Sequence, residues 1–120
     1  MRDDGERLRD ILEAIGNIEK YSARGQVSFE QDELLQTWFV RNLQIISEAA
    51  RNLSDAARSL APDVPWAKIT GMRHILVHHY FDIDLQVVWN AVAHDLPELK
   101  PKIVMLLEKL ESEGNSPRQD

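Results

Sequence analysis

The chain has 120 residues, a formal net charge of -6 and no cysteine. That length suits one domain, and the missing cysteine excludes disulfides, thiolate zinc sites and cysteine nucleophiles. No apolar run approaches the roughly 20 residues that span a bilayer. The acidic start Met1-Arg2-Asp3-Asp4-Gly5-Glu6 has no apolar stretch behind it and does not read as a signal peptide. A cytoplasmic protein with no membrane partner is expected. Acidic residues outnumber basic ones by 20 to 14, and no Lys or Arg has another beside it. The footprint of general nucleic-acid attraction is therefore missing. Contact with RNA would need a cationic cluster assembled in three dimensions.

The elements read as helices throughout. Leu8, Ile11, Leu12, Ile15 and Ile18 recur at helical spacing, with Asp3 or Asp4 as the start cap and Gly25 as a left-handed stop. Ser28-Phe29-Glu30-Gln31 fits a capping box. From there Leu35, Trp38, Phe39, Leu43, Ile46, Ala50, Leu53, Ala57 and Leu60 keep phase for about seven turns, with a break allowed near Gln36-Thr37. Pro62 and Pro65 end that segment, and Pro65 opens the next helix, expected from Trp66 to near Tyr80. Asp82 and Asp84 mark a turn, with Asp84 capping Leu85, Val88, Trp89 and Val92. Leu96-Pro97-Glu98-Leu99-Lys100-Pro101 reads as an elbow leading into Ile103, Leu106, Leu107 and Leu110, and Gly114 closes that helix. No period-two strand and no long repeat appears. The expected architecture is an all-helical up-down bundle of four to five helices over residues 1–113, with a flexible tail at 114–120.

Reactive groups concentrate in Arg73-His74-Ile75-Leu76-Val77-His78-His79-Tyr80. Three readings compete. His74 and His78, spaced i, i+4, have the geometry of a paired metal site, but the Glu that a zinc protease places after its first His is missing and no third ligand is secure. His78 can instead exchange protons near neutrality while Arg73 steadies charge on a phosphate. RNA brings its own 2′-hydroxyl nucleophile, so that chemistry needs no metal. A regular helix points Arg73 and His78 about 140° apart, a gap that a long Arg stem, a helix end or a second chain would have to close. In the third reading Arg73 and Tyr80 are solvated surface groups and the histidines edge a helix interface. His79 falls with Met72 and Ile75 on a packing face, and His94 is isolated on the surface.

Arg73, four residues, His78, one residue, Tyr80 matches the R-x4-H-x-Y motif, and the chain here resembles the HepT-like ribonuclease toxins of the HEPN superfamily. Arg41-Asn42-Leu43-Gln44-Ile45-Ile46-Ser47-Glu48-Ala49 resembles the family's second signature. Pro65-Trp66 through Gly71-Met72-Arg73 resembles its lead-in. Asp82-Ile83-Asp84-Leu85, Val88-Trp89 and Asp95-Leu96-Pro97-Glu98-Leu99 resemble its closing stretch.

The resemblance implies a HEPN-type bundle that forms a homodimer, with a composite site between two motif helices. It implies metal-independent endoribonuclease cleavage leaving a 2′,3′-cyclic phosphate, with no cofactor. Arg73 and His78 carry over as catalytic, and His74 stands where a polar residue orients the phosphate. Arg41, Asn42 and Glu48 either line the site or form a packing network. Tyr80 is where a cognate minimal nucleotidyltransferase antitoxin would attach AMP. His79 stands where Gly is common, a departure that makes the implied cleft either tighter or differently protonated. The alternative is a non-catalytic subunit that docks to a nucleotidyltransferase and positions its substrate.

Overall fold

A computed structural model describes the backbone of residues 3–78 and 84–115 and the side chains of 3–72 and 84–112. Helix α1 (Asp4–Ser22) starts where Asp3 Oδ1 accepts the Glu6 N–H at 2.7 Å, and it buries Leu8, Ile11, Ala14, Ile15 and Ile18. Asp4 serves a different corner. Its carboxylate accepts from both the backbone N–H (2.9 Å) and the hydroxyl (2.7 Å) of Ser54, whose own Oγ caps α4 (Asp55–Ser59). The chain leaves α1 through Gly25, whose φ of 90° lies in the left-handed region, and enters α2 (Gly25–Gln31) directly.

The long helix expected from Ser28 to Leu60 is divided, because Asp32 intervenes. Asp32 adopts an extended conformation, and its Oδ1 accepts from Leu34 N and Leu35 N at 3.0 and 3.2 Å to start α3 (Glu33–Arg51). The Gln36 amide donates back to Phe29 O and Glu30 O, answering the open carbonyls at the end of α2. Ser28-Phe29-Glu30-Gln31 thus lies inside α2 and caps nothing. At its other end α3 stops at Asn52, whose N–H reaches the carbonyls of Glu48, Ala49 and Ala50. Helix α5 (Trp66–His78) starts one residue after Pro65, whose carbonyl accepts from Ile69 N. The Trp66 indole N–H is shared between Arg58 O and Ala61 O, which ties the start of α5 to the end of α4.

No elbow forms at Pro97. Helix α6 (Leu85–Asn90), capped by Asp84, continues through a π-helical segment (Ala91–Asp95) into α7 (Leu96–Asn115). A proline ring at 97 would crowd the carbonyl four residues back in a regular helix. The wide turn just before it, in which Leu96 N–H donates to Ala91 O, opens that spot without ending the helix. Gly114 lies within α7, and residues 116–120 are outside the described residues.

Helix α3 is the spine of the bundle, packed between α1 and α5. Its face of Leu35, Phe39, Leu43, Ile46 and Ala50 is buried in the common core with Ile103 and Leu106 of α7. Phe29 stacks on Phe39 at 5.3 Å and meets Trp89 at 5.7 Å, joining α2, α3 and α6 through three rings. No strand occurs among the described residues, and no helix there is long and apolar enough to cross a membrane.

Because one carboxylate both separates α2 from α3 and caps α3, Asp32→Ala should cost about 1 kcal/mol and lower the melting temperature by about 3–6 °C. Circular dichroism melts check this, and an unchanged midpoint would show that the corner is held by Gln36 alone.

Candidate functional site

Helix α5 carries the reactive cluster. Its backbone is helical through Arg73, His74 and His78, so the spacing counted in the sequence is a spacing along one helix. The side chains of 73–78 are outside the described residues, as are Tyr80, His79 and Asp82 altogether. The paired-ligand reading of His74 and His78 falls there too. Among the described residues no three His, Asp or Glu side chains converge as a metal site would require.

The register of α5 is set by α3. Ser47, fully buried, donates from Oγ to Thr70 O at 3.2 Å. Ile46 and Leu43 of α3 share a cavity wall with Ile69 and Met72 of α5. α5 starts beside α4, which follows the C-terminal end of α3, and Ser47 near that end meets Thr70 near the start of α5, so the two helices run antiparallel. Eight residues from Thr70 to His78 and nine from Ser47 back to Trp38 both cover about 12–14 Å at 1.5 Å per residue. Along the helix axes the backbone of His78 is thus level with that of Trp38, but nine residues turn Trp38 about 180° from Ser47, so its side chain faces away from α5 and toward α1.

The α3 residues named with the motif go to different places. Arg41 is exposed. Glu48 is exposed, and its backbone carbonyl and carboxylate both accept from Asn52 Nδ2, at 2.8 and 3.3 Å. Asn42 is only 2% exposed and faces α1: its Oδ1 accepts from Asn17 Nδ2 at 3.2 Å and its Nδ2 donates to Trp38 O at 2.9 Å. Asn42 is a packing residue in this geometry, since reaching a ligand would break both bonds. Burial of an unpaired amide is costly, so those bonds are what permit an Asn in the core.

A cavity of about 310 Å³ lies between α3, α5 and the α6–α7 run. Its walls are mostly aliphatic, including Leu43, Ile46, Ile69, Met72, Val88 and Leu96. Two of its acids are engaged by lysines, Asp95 with Lys68 at 3.2 Å and Asp63 with Lys102 at 3.9 Å. It offers an apolar volume rather than a set of acid–base groups.

One feature of this end of the bundle escaped the sequence reading. Trp38 counts as a core position by its spacing, yet it is 38% exposed. It adjoins Phe39, the centre of the buried stripe, and one helical step of about 100° carries it to the edge. The signal available was that adjacency: two large neighbours cannot both face the core.

Residues 11–106 match the family model described as Ribonuclease HepT-like. A protein of Thermococcus cleftensis named "Probable ribonuclease HepT" is 38% identical over 102 residues, covering 82% of this chain and 91% of that protein. A "Putative RNase" of Caldanaerobacter subterraneus is 36% identical over 92 residues, covering 77% and 82%. A Methanocaldococcus jannaschii protein named "Gamma-glutamylcyclotransferase and putative RNase" is 36% identical over 110 residues, which span 91% of this chain but half of that protein. No solved structure matches.

The assignment of Asn42 to packing has a direct check. Asn42→Ala leaves the Asn17 amide without its partner and should cost about 1–3 kcal/mol of stability. RNA cleavage per folded molecule should be unchanged. Urea denaturation read beside a cleavage assay separates the two, and a loss of turnover at full stability would return Asn42 to the site.

Proposed function

We propose, from the fact that this chain belongs to the HepT-like ribonuclease family, that it is the toxin of a type VII-like toxin–antitoxin pair. Its activity is metal-independent endoribonuclease cleavage in a composite site between two copies. The observation that carries this reading is a family match running through the whole of α5, the helix that holds Arg73 and His78 five residues apart.

In the proposed reaction His78 takes the proton from a ribose 2′-hydroxyl, and the freed oxygen attacks the adjacent phosphorus. The bond to the 5′-oxygen breaks, that oxygen takes up a proton, and the products are a 2′,3′-cyclic phosphate and a 5′-hydroxyl. Arg73 holds the phosphate and neutralises charge as it builds on the non-bridging oxygens. Positions about 140° apart on one helix do not converge on one phosphate by themselves. A second chain resolves this, because its Arg73 and His78 approach from the opposite side. His74 supports phosphate orientation, and Arg41 and Glu48, exposed on the adjoining helix, stand on the side a partner copy can reach.

Tyr80 is the proposed point of control. A cognate minimal nucleotidyltransferase attaches AMP to its hydroxyl, adding a phosphate and a bulky nucleoside close in sequence to Arg73, where they compete with RNA. The net charge of -6 favours one second reading, a docking subunit that binds the nucleotidyltransferase and cleaves nothing.

Protein free of AMP by intact mass should cleave single-stranded RNA in EDTA. Arg73→Ala and His78→Ala should each lower the rate at least about a hundredfold. Adenylylation of Tyr80 should silence the wild type, and Tyr80→Phe should resist that silencing. RNA left intact by unmodified wild type, together with tight nucleotidyltransferase binding, would select the docking reading.

A further inference from the structure

The face shared by the end of α1 and the first turns of α3 carries an aromatic step with cations near it. Tyr21 and Trp38 meet edge to face at 6.1 Å between centroids and 84° between planes. The indole is fixed by a 2.8 Å bond from its Nε1 to Asn17 O, so its exposed part is held in one orientation. Arg24 lies over the Tyr21 ring, with Cζ 5.0 Å from the centroid. Lys20 adjoins Tyr21 in sequence, and Arg41 is three residues beyond Trp38 on the same side of α3; both are exposed, as is Arg24.

Among the described residues some cations are paired with acids, while Arg7, Arg51 and Lys109 are not. Arg9, Arg58, Lys68, Lys100 and Lys102 each pair with an acid. Lys20, Arg24 and Arg41 carry no ion pair among the described residues. In a chain of net charge -6, three cations that carry no ion pair, close to two partly exposed rings, suit a ligand that is both anionic and flat. Unpaired RNA is such a ligand: its bases stack on aromatic faces and its phosphates take cations.

We infer that Tyr21 and Trp38, with Lys20, Arg24 and Arg41, form a docking platform for single-stranded RNA. The inference rests on the ribonuclease reading for the identity of the ligand. Trp38 stacks a base and is a positioning residue. The cations hold the neighbouring phosphates. A duplex, whose bases are already stacked, has nothing to offer Trp38.

The test separates binding from cleavage by using a short single-stranded RNA methylated on its 2′-oxygens, which lacks the nucleophile. In fluorescence anisotropy, Trp38→Ala should weaken binding about five- to a hundredfold, and Trp38→Phe should keep most of it. Arg24→Gln should reduce the slope of log affinity against log salt by about 0.7. RNA should quench wild-type indole emission, and that quench should vanish in Trp38→Phe, a change that leaves Trp66 and Trp89 in place. With cleavable RNA, Trp38→Ala should raise KM far more than it lowers kcat. Wild-type affinity and quenching in the Trp38 variants would overturn the platform while leaving the nuclease reading intact. Trp38-dependent binding without any cleavage by wild type would do the reverse. Sedimentation showing that Trp38→Phe changes the oligomeric state would assign this face to a contact between copies and also overturn the platform.

Discussion

Helix α3 has to satisfy a neighbour on each side, and most of the molecule follows from that requirement. A helix exposed on one face needs a single apolar stripe, but α3 packs against α1 and α5 at once and closes over the common core. Its residues are therefore dense in large apolar groups, and what remains for solvent is a narrow strip holding Leu34, Trp38, Arg41 and Glu48. Hydrophobic burial is not directional. It holds the three helices together without deciding how far each is rotated or slid along the next.

Two buried polar contacts supply that decision. The Asn17–Asn42 amide bond fixes α1 against α3, and the Ser47–Thr70 bond fixes α3 against α5. Neither adds much net stability, since each replaces bonds to water. Their effect lies in the alternatives they exclude, because a slip of one residue would bury an unpaired amide or hydroxyl. The level of His78 along α3 is a consequence of that register, so the placement of the motif helix depends on buried polar contacts of its neighbour.

The sequence made some of this legible. The caps at Asp3 and Asp84 and the apolar faces of α1 and α7 follow from local rules, and the structure keeps them. The division at Asp32 was missed because Ser28 and Gln31 offered an equally good local signal three residues earlier. The choice between them depends on Gln36 closing the end of α2, a contact across the corner. The elbow at Pro97 failed for a related reason. Proline usually breaks a helix, but a π-helical turn ahead of the ring lets the helix run on. The cluster of reactive residues on α5 was legible as a motif, and the aromatic step was not, because Tyr21 and Trp38 come from two helices and meet only once α1 and α3 pack.

An acidic chain and an anionic substrate are compatible when range is considered. At physiological salt, charges farther apart than about 8 Å hardly feel each other across solvent. On the proposed platform a phosphate would therefore respond to Lys20, Arg24 and Arg41 and to the nearby Asp32 and Glu33, while the acids engaged at Lys68, Lys100 and Lys102 are already neutralised by contact. The overall sign still matters for the approach from a distance, where it slows encounter and weakens indiscriminate attraction to folded nucleic acid. A surface built this way gains little from long-range steering and depends on short-range stacking for affinity. The proposed platform would thus favour strands whose bases are free over duplexes, a selectivity that a basic surface would blur.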